Sequence, residues 1–166
     1  IDIALHDLYG KLEGKPLWQM WGIDPSATPC TSYTIGYDAC DSIVLLKVHE
    51  ADWAKILKVK LGRGEEEDKR MIRLIRSLTD KPIYVDANQG WPTKEHALMM
   101  CQWLADQGVV MIEQPMPKHM NEEHAWLCEQ VNLPILADEA CQTYDDVEKL
   151  APYYDGINIK LMKCGG

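Results

Sequence analysis

Short, mostly apolar runs recur along this chain, separated by longer stretches whose apolar positions fall three and four residues apart. Near the start, Ile1, Leu5 and Leu8, then Leu17, Trp18 and Trp21, keep helical spacing. Gly10, Gly14 and Pro16 interrupt them, which predicts two short helices with a break. After Pro25 and Pro29, the β-branched and aromatic run Thr31–Gly36 predicts a strand. From residue 56 onward a unit repeats. Ile56–Leu61 reads as a strand and precedes a helix marked by Met71, Ile72, Ile75 and Leu78. Pro82–Val85 precedes a helix over 94–107, and Val109–Ile112 one over 122–131. Pro134–Ala137 precedes a helix from about 144 to 150, and Gly156–Ile159 is a last strand. Apolar strands alternating with amphipathic helices predict a parallel sheet with helices outside it. Residues 38–53 fit either helix or strand.

Composition narrows the class. With 46% hydrophobic and 26% charged residues the chain is neither disordered nor low in complexity, and 166 residues can bury a sizeable core. Lys and Arg number 17 against 26 Asp and Glu, for a formal net charge of −9. No basic stripe occurs, so nucleic acid and anionic membranes are not expected as partners. The acidic run Glu65–Asp68 reads as the solvated start of a helix. No apolar stretch is long enough to span a bilayer. The six scattered cysteines lack CxxC or Cys/His spacing and read as free thiols of a reducing, cytoplasmic compartment. Trp18, Trp21, Trp53, Trp103 and Trp126 are expected in the core, and Trp91 over a site mouth or beneath a loop. His6, His49, His96, His119 and His124 are expected at the surface or in caps.

The chemistry sits where the strands end. Lys60, Asp86, Glu113, Asp138 and Lys160 close successive strands at steps of 26, 27, 25 and 22 residues, and Thr34 lies 26 before Lys60. In a parallel βα array all strand C-termini lie on one face, so these side chains converge. Loops are polar in any case. Five ionisable groups in one phase, ordered Lys, acid, acid, acid, Lys, are more than loop composition explains. Clustered carboxylates repel one another unless a cation neutralises them. Three oxygen donors without His or Cys favour a hard cation, with Mg²⁺ the first choice. Lys58 and Lys60 share a strand face through the period of two. A second ammonium and a cation nearby both favour loss of a lysine proton, which suits a general base. Lys160, from the far side of the ring of strands, would return a proton to the opposite face of the same carbon.

Lys58-Val-Lys60, Asp86-Ala-Asn-Gln-Gly-Trp91, Ile112-Glu-Gln-Pro115, Ala137-Asp-Glu139 and the stretch Asn158–Gly166 together resemble the enolase superfamily, muconate-lactonizing-enzyme subgroup. Within it the sequence is most similar to the dipeptide epimerases of the L-Ala-D/L-Glu type, as are Thr31–Gly36 and the opening Leu5–Lys11. The resemblance implies a partial TIM (β/α)8-type barrel of about six parallel strands with outer helices. Residues 1–28 would be a helical connection leading into the incomplete barrel, 29–166. It also implies Mg²⁺ held by Asp86, Glu113 and Asp138, with Lys60 and Lys160 as the two acid/bases. Lys58 would contact the substrate carboxylate and ease deprotonation of Lys60. Thr34 matches a substrate-contacting position, and Asn88 and Glu139 match residues that support the ligands. Sites of this superfamily use a Lys or His base with Mg²⁺ stabilising an enediolate.

The implied activity is Mg²⁺-dependent epimerisation of a dipeptide by alpha-proton abstraction. Muconate cycloisomerisation and N-acylamino acid racemisation use the same lysines and metal and stay open. So does an inactive barrel fragment that binds metal without turnover. A complete member would add a capping domain, two further βα units, and an Asp-x-Asp pair for the dipeptide's amino terminus. The chain is therefore expected to be a fragment without its substrate-choosing segment, a reading that leaves room for a homo-oligomer of the full-length enzyme.

Overall fold

A computed structural model describes residues 1–164; Gly165 and Gly166, which close the last motif quoted above, lie outside the described residues. The packing divides into two compact units. One comprises residues 1–30 with the stretch that begins at Ile159, and the other comprises Thr31–Asn158.

The first unit contains the two predicted helices, α1 (Asp2–Glu13) and α2 (Leu17–Met20), a 3-10 turn at Pro25–Ala27, and a helical turn at Leu161–Cys164. α1 stops at Gly14, whose φ of 64° is left-handed and whose N–H turns back to Gly10 and Lys11 carbonyls. The expectation of core tryptophans fails here, since Trp18 is 43% and Trp21 60% exposed. Helical spacing marks an apolar stripe, but it does not say what covers that stripe.

In the second unit, β1 (Ser32–Ile35), β2 (Ile56–Lys60), β3 (Ile83–Asp86), β4 (Val109–Glu113), β5 (Ile135–Ala137) and β6 (Gly156–Ile157) form one six-stranded sheet. Every pairing is parallel and the strands lie side by side in chain order. The connections are α3 (Asp41–Glu50), α4 (Glu65–Arg76), α5 (Lys94–Asp106), α6 (Asn121–Gln130) and α7 (Tyr144–Leu150). Segment 38–53, ambiguous by pattern, is thus helical, with Val44 and Val48 as its buried side. The last strand is shorter than predicted. β6 pairs only with the three-residue β5, and one further bond, from Asn158 N–H to the Ala137 carbonyl, ends the ladder.

Register fixes what shares a face. Leu57 and Val59 alternate with Lys58 and Lys60 along β2, and they align with Ile83 and Val85 of β3. Leu57, Val59, Ile83, Val85 and Ile112 are all buried, on the helix side, with Met71, Ile72 and Ile75 of α4 and Met100 and Leu104 of α5. α4 needs no side-chain cap. Glu65, Glu66, Glu67 and Asp68 fill its first turn and Arg73 and Arg76 its last, which suits the helix dipole. Leu78, expected on the same stripe, lies past the end of α4 and is exposed.

His124 overturns the surface expectation for histidines, because it is fully buried in α6. Its Nδ1 lies 2.7 Å from the Met120 carbonyl and therefore carries the proton, while Nε2 has no partner. Its ring packs on Tyr154 with centroids 4.5 Å apart. Burial pulls its pKa down from 6.5 to about 4, against the Met120 bond and the Glu123 charge. The folded state thus keeps this ring neutral while the unfolded chain takes up a proton below about pH 6.5. Stability is expected to fall by about 2 kcal/mol from this group between pH 7 and pH 5, as its pKa shift dictates. Urea unfolding at both pH values checks this; His124→Gln should lose that part of the slope.

Candidate functional site

The site forms on the sheet face opposite the helices. Thr34 aligns with Lys58, Lys58 with Tyr84, Lys60 with Asp86, and Asp86 with Glu113. Glu113 aligns with Leu136, so Asp138, two residues farther on, keeps the same side just past the end of β5. The regular step along the sequence thus marks one face but not one level: Thr34 pairs level with Lys58 rather than Lys60, and Asp138 lies two residues past the partner of Glu113.

Asp86, Glu113 and Asp138 are buried, and each offers a carboxylate oxygen within 4.8 Å of the others. Two ammonium groups meet them. Lys58 Nζ lies 2.6 Å from Glu113 Oε2 and 3.0 Å from Asp86 Oδ2, and Lys60 Nζ lies 2.6 Å from that same Asp86 oxygen. Lys58 also sits over the Tyr84 ring, 5.0 Å from its centroid. The Lys58 side chain is 11% exposed and that of Lys60 36%. Lys60 borders a cavity of about 500 Å³ that Tyr37, Leu61, Gly62, Arg63 and Asn88 also line.

Burial and the neighbouring charges act on these groups in opposite directions. Burial and the neighbouring Asp86 lift the Glu113 carboxyl above its ordinary range despite the Lys58 hydrogen bond. Burial opposes ionisation of Asp86 too, but the Lys60 hydrogen bond and the Lys58 charge hold its carboxyl below that range. Burial also opposes the Lys58 ammonium, yet the Glu113 hydrogen bond and the Asp86 charge outweigh it and raise its pKa. The carboxylates that it bonds keep Lys58 charged. Three buried carboxylates, each offering an oxygen donor, fit a hard divalent cation, so the cluster can hold a metal ion.

Asn88 Nδ2 donates to Glu139 Oε1 at 3.2 Å, tying the loop after β3 to the loop after β5. Asn88 itself holds a left-handed φ of 47°, and Gln89 and Gln114 are the other non-glycine residues with positive φ. All three follow the strands that carry Asp86 and Glu113, where strain is characteristically found. Lys160 belongs to the first unit, at the residue before its last helical turn.

Sequence reasoning missed three residues. Asn158 Nδ2 donates to Glu113 Oε1 at 2.8 Å, and the polar break in Gly156–Ile159 was the available signal. Asp68, read as solvated, is buried. It accepts from the Gly62 and Arg63 N–H groups and from Trp91 Nε1, which settles Trp91 as a fully buried residue beneath a loop. Asp68 stands three, four and seven residues before Met71, Ile72 and Ile75, so helical period placed it on the buried stripe. Here the loops after β2 and β3 touch backbone to backbone: a Cβ on Gly62, whose φ is +86°, would meet the Ala87 carbonyl oxygen at 2.0 Å. The third missed residue is Gln114, the fully buried neighbour of Glu113.

A family model described as "Enolase C-terminal domain-like" matches residues 45–166. The chain belongs to that family. It is 53% identical, over its whole length, to 43% of an L-Ala-D/L-Glu epimerase from Bacteroides thetaiotaomicron. The crystal structure of a dipeptide epimerase from Enterococcus faecalis V583, complexed with Mg and the dipeptide L-Leu-L-Tyr, superposes with a TM-score of 0.85 at 37% identity, covering 99% of this chain and 48% of that one. A muconate lactonizing enzyme from Klebsiella pneumoniae matches with a TM-score of 0.72 at 32% identity, over 82% of this chain and 39% of that one. The chain thus spans about half the length of the curated relatives it matches. No helix among the described residues is long and apolar enough to cross a membrane.

Proposed function

We propose that the protein carrying this chain epimerises dipeptides by removing and replacing the proton alpha to a carboxylate, with Mg²⁺ held by Asp86, Glu113 and Asp138. The observation that carries this reading is the buried carboxylate trio with two lysines bonded into it on one sheet face. The identities to dipeptide epimerases support it. When bound, Mg²⁺ supplies positive charge at the substrate carboxylate, where removal of the alpha proton builds up a second negative charge.

The residues divide the remaining work. Lys58, kept charged by Glu113 and Asp86, adds a fixed ammonium for the substrate carboxylate and orients it. Lys60, more exposed and bordering the cavity, is the base that takes the proton on one face. Lys160 is assigned the same role for the other enantiomer, and Thr34 a contact to the substrate. Asn158 and Asn88 restrain Glu113 and Glu139 respectively, so neither carboxylate swings freely.

Cycloisomerisation of a muconate is the second reading, favoured by the similarity to muconate lactonizing enzyme; its lower identity and coverage place it behind. The deciding experiment incubates the protein with L-Ala-L-Glu, L-Leu-L-Tyr or a muconate in D₂O with Mg²⁺ and follows the products by NMR. Deuterium at the alpha carbon with formation of the epimer is the expected result. Lactone from muconate with inert dipeptides would select the second reading, and no change in any substrate would overturn both.

A further inference from the structure

The geometry points to Gln114 as the positioning residue of the metal centre: its side-chain amide sets where the backbone of Asp138 lies. This rests on the metal reading above and concerns a residue to which that reading gives no role.

Gln114 follows Glu113 directly and is fully buried. Its Oε1 accepts from the N–H of Asp138 at 2.9 Å and from that of Ala140 at 3.1 Å. Its Nε2 donates to the Met116 carbonyl at 3.2 Å and to the Tyr154 hydroxyl at 3.1 Å. An amide has two acceptor sites and two donor hydrogens, and all four are used. A flipped amide would point hydrogens at two N–H groups, so the orientation is unique.

The main chain of Gln114 adds two further ties. Its N–H donates to the Leu136 carbonyl, and its carbonyl accepts from the Gln89 N–H, both at 2.8 Å. A left-handed φ of 39° permits this double use at a residue with a side chain. Gln114 is thereby fastened to the loop after β3, to β5, to the loop after β5, and to Tyr154 just before β6. The loop after β3 follows directly on Asp86 and the loop after β5 contains Asp138, while Glu113 is its neighbour in the chain. The far end of the clamp is itself fixed, for Tyr154 is 7% exposed and packs on the His124 ring. Burial holds its hydroxyl pKa up at about 12, so it stays protonated.

Loss of a group that orients metal ligands typically costs ~10–100-fold in metal affinity. Mg²⁺ binding, measured by calorimetry well below the melting temperature, tests the assignment in the parent, Gln114→Met, Tyr154→Phe and Leu127→Ala. Leu127 is a fully buried apolar residue of α6 whose truncation destabilises while removing none of the clamp's hydrogen bonds. We expect Gln114→Met to bind Mg²⁺ at least ~10-fold more weakly and Tyr154→Phe by a smaller factor. Leu127→Ala should melt earlier with unchanged affinity. Affinity of Gln114→Met within twofold of the parent overturns the proposal. So does an equal loss in Leu127→Ala, which would make the effect one of general stability. If Gln114→Met does not fold, unchanged affinity in Tyr154→Phe decides against it. A parent that binds no Mg²⁺ overturns the metal reading and this proposal together, whereas failure of the variants alone overturns only this one.

Discussion

Lys60→Ala is expected to abolish dipeptide epimerisation, with a loss on the order of 10³-fold or more in kcat, the scale of a general base removed from a proton transfer. Both lysines of β2 face the carboxylates, but their settings separate their roles. Lys58 is pinned between Glu113 and Asp86, and its side chain is 11% exposed. Lys60 makes one ion pair, to Asp86, and borders the cavity. A base has to reach its proton, and the more open lysine can. Lys160→Ala is expected to abolish net epimerisation to a similar degree. The two variants differ in what survives. With two bases, each working on one enantiomeric face, exchange of the alpha proton with solvent deuterium should persist from one enantiomer in one variant and from the other enantiomer in the second. Starting each variant from each enantiomer and reading deuterium by NMR checks this, and full racemisation by either variant would sink the two-base assignment.

The second large effect concerns the metal. Chelation with EDTA should remove activity, and Mg²⁺ should restore it. A signal independent of turnover should accompany this. Folding brings three buried carboxylates together, so a cation that they hold binds the folded state and not the unfolded chain. At ~100 times its dissociation constant a ligand of this kind adds about 2.7 kcal/mol. For a chain of this size that is roughly a 5–10 °C rise in Tm. Glu113→Gln should lose most of the rise, because a neutral amide is a poor ligand and removes one of the three charges. Lys58 keeps its bond to Asp86 in that variant, so the fold should survive. An undiminished Tm rise in Glu113→Gln would mean that the cation binds elsewhere.

The sheet and the carboxylates were legible because they follow from periodicities. β2 to β5 are short apolar runs closed by charges, and a parallel array leaves those charges only one end at which to gather. What was not legible depends on coverage and on single hydrogen bonds. Trp53 was expected in the core, yet it is 64% exposed and meets the Tyr33 ring edge-on beside β1, at the margin of the sheet. Composition could not distinguish Asp68 from Glu65, Glu66 and Glu67, although helical period could have done so. His124 looked like any polar residue of an amphipathic helix, and only the Tyr154 ring packed against it shows that its position is interior. Spacing shows that Lys58 and Lys60 share a face and says nothing of which carboxylate oxygens lie within bonding distance of each.

The order of the sheet has a consequence for biosynthesis. Each strand lies beside the one made just before it, so a chain leaving the ribosome can add every new strand to an edge that already exists. Lys58 and Lys60 precede all three acids, so Asp86 and then Glu113 emerge to ammonium groups already in place. Asp138, which completes the carboxylate trio, emerges last of the three.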